Sequence, residues 1–192
     1  LIIPELSMQE SYAFWTQQCK GCNISTRDIV DVLSVTGGVP KYLESIDPTV
    51  GADENIAKLC FRSGSLLLDE FNEIFDDALD RNLAFKKKLL ASLALGAKTH
   101  SELAEALGVE ASGFITDNLE ALEAAGFIAK DEGINPTSGK RTKQVEYRIC
   151  DNYTRFYLKY IEPSRSLIKR NAYRFMSAEQ LPGWNSMLGL QF

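Results

Sequence analysis

Apolar residues recur three and four apart through most of the chain, the period of helices with one buried face. "SMQESYAFWTQQC" begins on Ser7 with Glu10 three residues later, the spacing of a capping box, and Tyr12, Trp15 and Cys19 then share a face. After a break at Gly21, "STRDIVDVLSVTG" repeats the arrangement, with Ser25 before Asp28 and a stripe of Ile29, Val32 and Leu33. Gly37 and Gly38 end that helix, as glycine does at a helix C-terminus. Proline is tolerated in a first helical turn, so "VPKYLESI" begins another helix, closed by Asp47 and Pro48. "DENIAKLCF" and "SLLLDEFNEIFDDAL" predict two more, the second with Leu67, Phe71, Ile74 and Phe75 inward. Residues 1–80 therefore read as a small all-helical domain.

The pattern changes from Asn82. "LAFKKKLLASLALG" predicts a helix with Leu83, Leu89, Leu90 and Leu93 as its apolar set and Gly96 as its stop. "THSELAEALG" is shorter, with a capping box from Thr99 to Glu102 and an end at Gly108; "ASGFITDNLEALEAAG" is a third helix, ending at Gly126. "FIAKDEG" and "QVEYRIC" are strand-like and flank the polar loop "INPTSGKRTK". Three helices, the second short, followed by a two-stranded ribbon make the order of a winged helix-turn-helix over 81–150. Residues 151–192 open on the aromatic-rich "DNYTRFYLKYIEPSRS", read as a helix ended by Pro163, and continue as a less regular linker.

Composition narrows the setting. A chain of 192 residues with 45% hydrophobic and 24% charged residues can bury a real core. Its net charge of −5 argues against a chain whose main task is to neutralise phosphates, although it leaves room for a local basic patch. Four cysteines make no disulfide framework at this length, and no apolar run approaches the roughly 20 residues of a membrane helix. A soluble, reducing, cytoplasmic setting with no membrane partner is expected. The opening "LIIPELS" and the closing "MLGLQF" both read as cut from a longer protein.

Taken in order, "LIIPELSMQESYAFW", "TGGVPKYLE", "NIAKLCFRSGSLLLDE", "LALGAKTHSELAEALG" and "YRICDNYTRFYLKYIEP" resemble the C-terminal half of the archaeal-type P-loop ATPases, relatives of the AAA+ and signal-transducing nucleotide switches. The resemblance covers nearly all of the chain. It implies a mainly α fold: a helical AAA+-type lid over 1–80, a winged helix with a small β-ribbon wing over 81–150, and a linker over 151–192. The closing "MLGLQF" resembles the entry to that family's C-terminal nuclease-like domain. ATP and magnesium would then belong to the full-length parent and to a P-loop core that this chain lacks. No G-x-x-x-x-G-K-[ST] string occurs here, nor a pair of acids ending an apolar strand, so this chain alone is not expected to bind or hydrolyse ATP.

Several residues then have two readings. Gly37, Gly38, Val39 and Pro40 form, from spacing alone, a glycine stop and a proline start. In the resembling lids a G-x-P turn lies over the adenine base, and missing side chains at Gly37 and Gly38 would permit close approach. Lys41 is either a phosphate contact or a solvated side chain, and no sensor arginine is identified. The third winged-helix helix holds Asp117, Glu120 and Glu123 and no Lys or Arg, which suits a DNA duplex poorly. The wing's Lys130, Lys140, Arg141 and Lys143 are candidate nucleic-acid contacts, offset by Asp131, Glu132 and Glu146. Cys19 and Cys22 form C-x-x-C, but Cys60, Cys150 and the lone His100 do not repeat the spacing a zinc site needs. Tyr153, Phe156, Tyr157 and Tyr160 read as core or domain interface; Arg155, Lys159, Arg165, Lys169, Arg170 and Arg174 read as a solvated or interacting face.

The chain is thus expected to be a regulatory part of an ATP-binding ATPase, its lid relaying nucleotide state to a winged-helix interaction module. Its partners would be the absent P-loop core, the nuclease-like domain and a protein client. The alternative is a winged-helix DNA-binding transcriptional regulator.

Overall fold

The computed structural model describes residues 5–18, 24–79, 81–134 and 141–191, and over these the protein is mainly helical with one small antiparallel sheet. It divides into two compact units, one formed by 1–70 with 160–192 and the other by 71–159.

The first unit begins with α1 (Met8–Gln18), whose start is the capping box read from sequence: the Ser7 N–H and Oγ both donate to Glu10 Oε2. Next come α2 (Thr26–Thr36), α3 (Pro40–Leu43), α4 (Ala52–Cys60) and the first turns of α5 (Leu66–Ala78). Ser25 caps α2 as expected, its Oγ accepting from the Asp28 N–H at 3.0 Å. The core gathers around Trp15, Val32, Leu43, Ile56 and Leu67, all but sealed from solvent. Trp15 is anchored at both ends, because its ring fills the core while Nε1 donates to the Leu43 carbonyl at 3.0 Å. Asn55 organises the turn before α4: its Oδ1 accepts from the Asp47 N–H (2.8 Å), and Nδ2 donates to the carbonyls of Asp47, Val50 and Gly51.

The chain's last part belongs to the same unit. Here α10 (Glu162–Lys169), a 3-10 turn at Ala178–Gln180 and α11 (Trp184–Gln191) contribute Ile168, Trp184 and Met187 to the core. Phe61 stacks between Tyr173 and Phe175, with ring centroids 5.1 and 4.6 Å away. The tail therefore contributes to this core through short helices joined by an irregular stretch over 172–177.

The second unit holds the rest of α5, then α6 (Leu83–Leu93), β1 (Lys98–Thr99), α7 (His100–Leu107), α8 (Gly113–Ala124), β2 (Ile128–Ile134), β3 (Arg141–Ile149) and α9 (Asn152–Phe156). The Thr99–Glu102 capping box is present in full at the head of α7, and Gly108 ends that helix in the left-handed region, φ 64°. The ribbon expected from sequence is a sheet of three strands in the order β1-β3-β2, all antiparallel. The two residues of β1 carry no alternating pattern of their own, so the third strand has no signature in the sequence. Leu89, Leu93, Leu103, Ile115, Leu119 and Ile149 form the core beneath it.

Three expectations are corrected. Ile74 is 37% exposed, and Leu68 takes its place beside Leu67, Phe71 and Phe75 on the buried face of α5. Pro163 does not end a helix. After α9 the chain widens into a π-helical turn, Tyr157–Ile161, and Pro163 then sits in the first turn of α10. A proline ring crowds the carbonyl four residues earlier and supplies no N–H, and widening the ladder before it lets a helical path continue. Tyr153, Phe156, Tyr157 and Tyr160 are all buried, as their spacing predicts. Arg155, read as part of a solvated or interacting face, is buried and donates to the Ile149 carbonyl. No helix among the described residues is long and apolar enough to cross a membrane.

Candidate functional site

The Gly37–Lys41 turn is assembled from the end of α2 and the start of α3. Gly37 stands at φ 60°, a conformation that costs a side-chain-bearing residue energy, and its N–H returns to the Leu33 carbonyl at 2.9 Å. The Thr36 hydroxyl contacts both the Val32 carbonyl (3.0 Å) and the Gly37 carbonyl (2.8 Å), which pins the first peptide of the turn. Val39 is extended and caps α3, and Pro40 occupies its first turn, where no N–H is required.

The close approach that the two glycines permit is made by the chain itself. The Leu6 N–H donates to the Gly38 carbonyl at 2.8 Å, and the Gly38 N–H donates to Glu5 Oε2 at 3.0 Å. A Cβ at Gly38 would lie 2.0 Å from the Leu6 carbonyl oxygen, and one at Gly37 would lie 2.8 Å from Glu5 Oε2. Both glycines are buried, whereas Val39 and Pro40 stay partly open to solvent. Lys41 is exposed along its stem, and its Nζ lies 2.6 Å from Oε1 of the buried Glu70. The turn thus offers a small apolar face, Val39 and Pro40, beside an ammonium already engaged by a carboxylate. The Gly37 and Gly38 N–H groups are likewise engaged, by the Leu33 carbonyl and Glu5 Oε2. Among the described residues, no cluster of His, Cys, Asp and Glu could hold a metal ion.

The charged groups on α2 tie this turn to its surroundings. Asp28 Oδ1 accepts from the Ala52 N–H at 2.8 Å, joining the starts of α2 and α4. Burial works to raise the Asp28 pKa, but the Ser25 hydroxyl and the Ala52 and Ser25 hydrogen bonds outweigh it, and the carboxyl lies below its ordinary value. For Asp31, burial prevails over the bond from Arg27 Nε (2.8 Å), and its pKa lies above the ordinary value. The last part of the chain rests on the same helices: the Ala178 N–H donates to Asp53 Oδ1 (2.7 Å), Arg27 reaches Glu179 (3.2 Å), and Gln191 Nε2 donates to the Ser34 carbonyl (2.8 Å). Arg165 and Lys169, read as solvated cations, both pair with Asp69.

In the second unit, the exposed positions of α8 include Phe114, Asp117, Glu120 and Glu123. Phe114 leans on Phe85 at a centroid distance of 4.9 Å, and Thr116 Oγ1 lies 3.3 Å from His100 Nε2. Lys130 is exposed and pairs in register with Tyr147, which faces Lys98 on its other side. The neighbouring Asp131 is engaged by Arg148 Nε at 2.6 Å. Of the other wing cations, Lys140 lies outside the described residues, as do the side chains of Arg141 and Lys143, whose backbone belongs to β3. Cys19 and Cys22 also lie outside them. Burial raises the Cys60 pKa beyond any physiological range, leaving an inert thiol.

Glu5, Leu6 and Gln191 form no motif with the glycine turn in the sequence, since their contacts with α2 and the turn join distant parts of the chain. The paired glycines themselves were the available signal, because two adjacent residues without side chains announce that another backbone comes close.

The chain is 28% identical over 165 residues to a protein of Methanocaldococcus jannaschii, "Uncharacterized protein MJECL04", in an alignment covering 86% of this chain and 36% of that protein. The chain therefore spans little more than a third of that relative's length. No family model matches the chain, and no solved structure matches it.

Proposed function

We propose that this chain is the helical lid and winged-helix part of an ATP-binding ATPase of the archaeal P-loop type. The observation that carries the reading is the turn between α2 and α3: a helix stopped by two glycines, a proline-started helix, and another chain segment seated at hydrogen-bond distance on the glycines. In this reading the glycines seat the segment around Glu5 and Leu6, which leads away from a nucleotide-binding core. The base-facing surface then reduces to Val39 and Pro40. Lys41 serves the lid through Glu70 and is not a phosphate ligand. ATP and magnesium would be held by the P-loop core of the longer protein, and the residues present here supply at most an apolar contact to the base.

The helices and sheet of the second unit are read as a winged helix that docks protein, because α8 presents carboxylates and one aromatic ring where a DNA reader needs cations. The exposed Lys130 is the residue that keeps a DNA-binding regulator as the second reading.

The test uses the longer protein containing the P-loop core, with Pro40→Asp. A carboxylate facing the base and its attached phosphates should weaken ATP binding by about tenfold or more, by equilibrium titration. Unchanged nucleotide affinity and hydrolysis would remove the reading. Duplex DNA titrated against the present chain tests the second reading, which requires micromolar binding at physiological salt with a steep salt dependence.

A further inference from the structure

Charge is sorted along this chain in a way that its net value of −5 conceals. Residues 99–129 contain six carboxylates and no Lys or Arg, while residues 163–178 contain four cations and no carboxylate. On α8, Asp117, Glu120 and Glu123 follow one another every third residue on the exposed side. Glu110 lies just before that helix, and the half-exposed Phe114 stands in its first turn, held against Phe85. Among the described residues, none of these four carboxylates is in an ion pair. Like charges one turn apart repel one another, so this face favours a cationic neighbour.

The cationic stretch is a fixed surface of the first unit. Tyr173 and Phe175 stack on Phe61, and the Ser63 N–H donates to Asn171 Oδ1 at 3.3 Å. Burial alternates from 173 to 176, so that Arg174 and Met176 are left outward, Met176 being 57% exposed. Asp69 takes Arg165 and Lys169, and Glu179, beyond the stretch, is engaged by Arg27. Among the described residues, the exposed Arg170 and Arg174 have no carboxylate partner.

We propose that these two surfaces meet between copies of this chain, the stretch Arg170–Met176 of one docking on the exposed face of α8 of another. A second copy is the occupant because it brings both the opposite charge and an apolar anchor at a matching spacing. Side chains two residues apart along an extended segment stand about 7 Å apart, and those one helical turn apart stand about 5–6 Å apart. Met176 then meets the ring of Phe114, a favourable sulfur–aromatic contact, while Arg174 reaches Asp117 and Arg170 reaches Glu120. The patches differ, so each copy offers one of each, and the contact is either reciprocated in a dimer or repeated to a third copy. This inference rests on reading α8 as a face that docks protein.

Sedimentation velocity on the full chain tests it. In about 0.1 M salt the mass should rise above 21.4 kDa with concentration, and about 0.5 M salt should weaken the association. Arg170→Glu with Arg174→Glu should raise the dissociation constant about tenfold or more, and so should Asp117→Lys with Glu120→Lys. All four positions are exposed, and an unchanged far-UV spectrum shows that each double variant keeps its fold. Mixed one to one, the two double variants have exchanged charges and should regain the affinity of the unaltered chain. A chain that stays monomeric at every concentration overturns the inference. So do reversed variants that associate as before, or that fail to associate with each other when mixed. Duplex DNA bound at α8 would remove the docking reading as well, whereas a monomer that ignores duplex removes this inference alone.

Discussion

Asp28 and Asp31 sit one turn apart on α2 and are predicted to respond oppositely to neutralisation. Asp28 has a folded pKa below the ordinary 3.8, so its stabilising contribution is complete above that value and is lost as pH falls through the folded one. Asp28→Asn should lower stability at pH 7 by about 1 kcal/mol and flatten the acid limb of the stability curve, in urea unfolding at several pH values. Asp31 has a raised pKa, so its ionised form is the one the fold disfavours, and stability falls as pH rises from 3.8 through the folded value. Asp31→Asn keeps an oxygen for Arg27 and should not lower the urea midpoint at pH 7. Asn55→Ala is the severe residue-scale change. It removes a buried hub that satisfies one N–H and three carbonyls, and should cost about 2–4 kcal/mol. The sequence made the caps legible at this scale, because Ser7, Ser25 and Thr99 act on residues three positions away. It did not disclose Asn55, whose partners lie in an irregular turn.

At the scale of elements, helices were legible where one face is apolar and a small polar residue precedes it. That is the case for α2, α7 and α8. The failures have a common cause: β1 and the start of α10 depend on neighbours remote in sequence or on backbone rearrangement, and not on their own periodicity. The glycine turn lies between these cases. Its existence was plain from "TGGVP", while its occupant, the backbone at Glu5–Leu6, was not. An element-scale prediction concerns α7. Thr99→Ala removes the hydroxyl half of its capping box, leaving the residue-99 N–H on Glu102 Oε2, and should cost about 1 kcal/mol. Because α7 has only eight residues, the amides of its first turn should exchange faster while α8 is little affected.

For the whole molecule, the sequence implied three successive domains, whereas contacts in the structure group 160–192 with 1–70. The unit formed by 71–159 is continuous in sequence and has its own core, including Leu89, Leu103, Ile115, Leu119 and Ile149. A fragment of these residues should fold cooperatively, with dispersed amide resonances and a single thermal transition. A fragment ending at residue 70 lacks Ile168, Trp184 and Met187 and should not. Finding both fragments equally folded would contradict this partition. Pairing of Arg165 and Lys169 with Asp69 belongs to the split unit too; as a partly exposed group it should yield well under 1 kcal/mol to added salt.

That discontinuity bears on how the protein is made. A ribosome delivers the chain from its amino end at several residues per second, and domains ordinarily fold in the order they emerge. Here the order is inverted. The middle unit has everything its core needs once Lys159 is out, while the helices before it must wait for the residues from 160 onward that complete their unit. Within residues 1–192, the first segment to emerge is thus the last to be completed, and it is the one a chaperone would find exposed on the nascent chain.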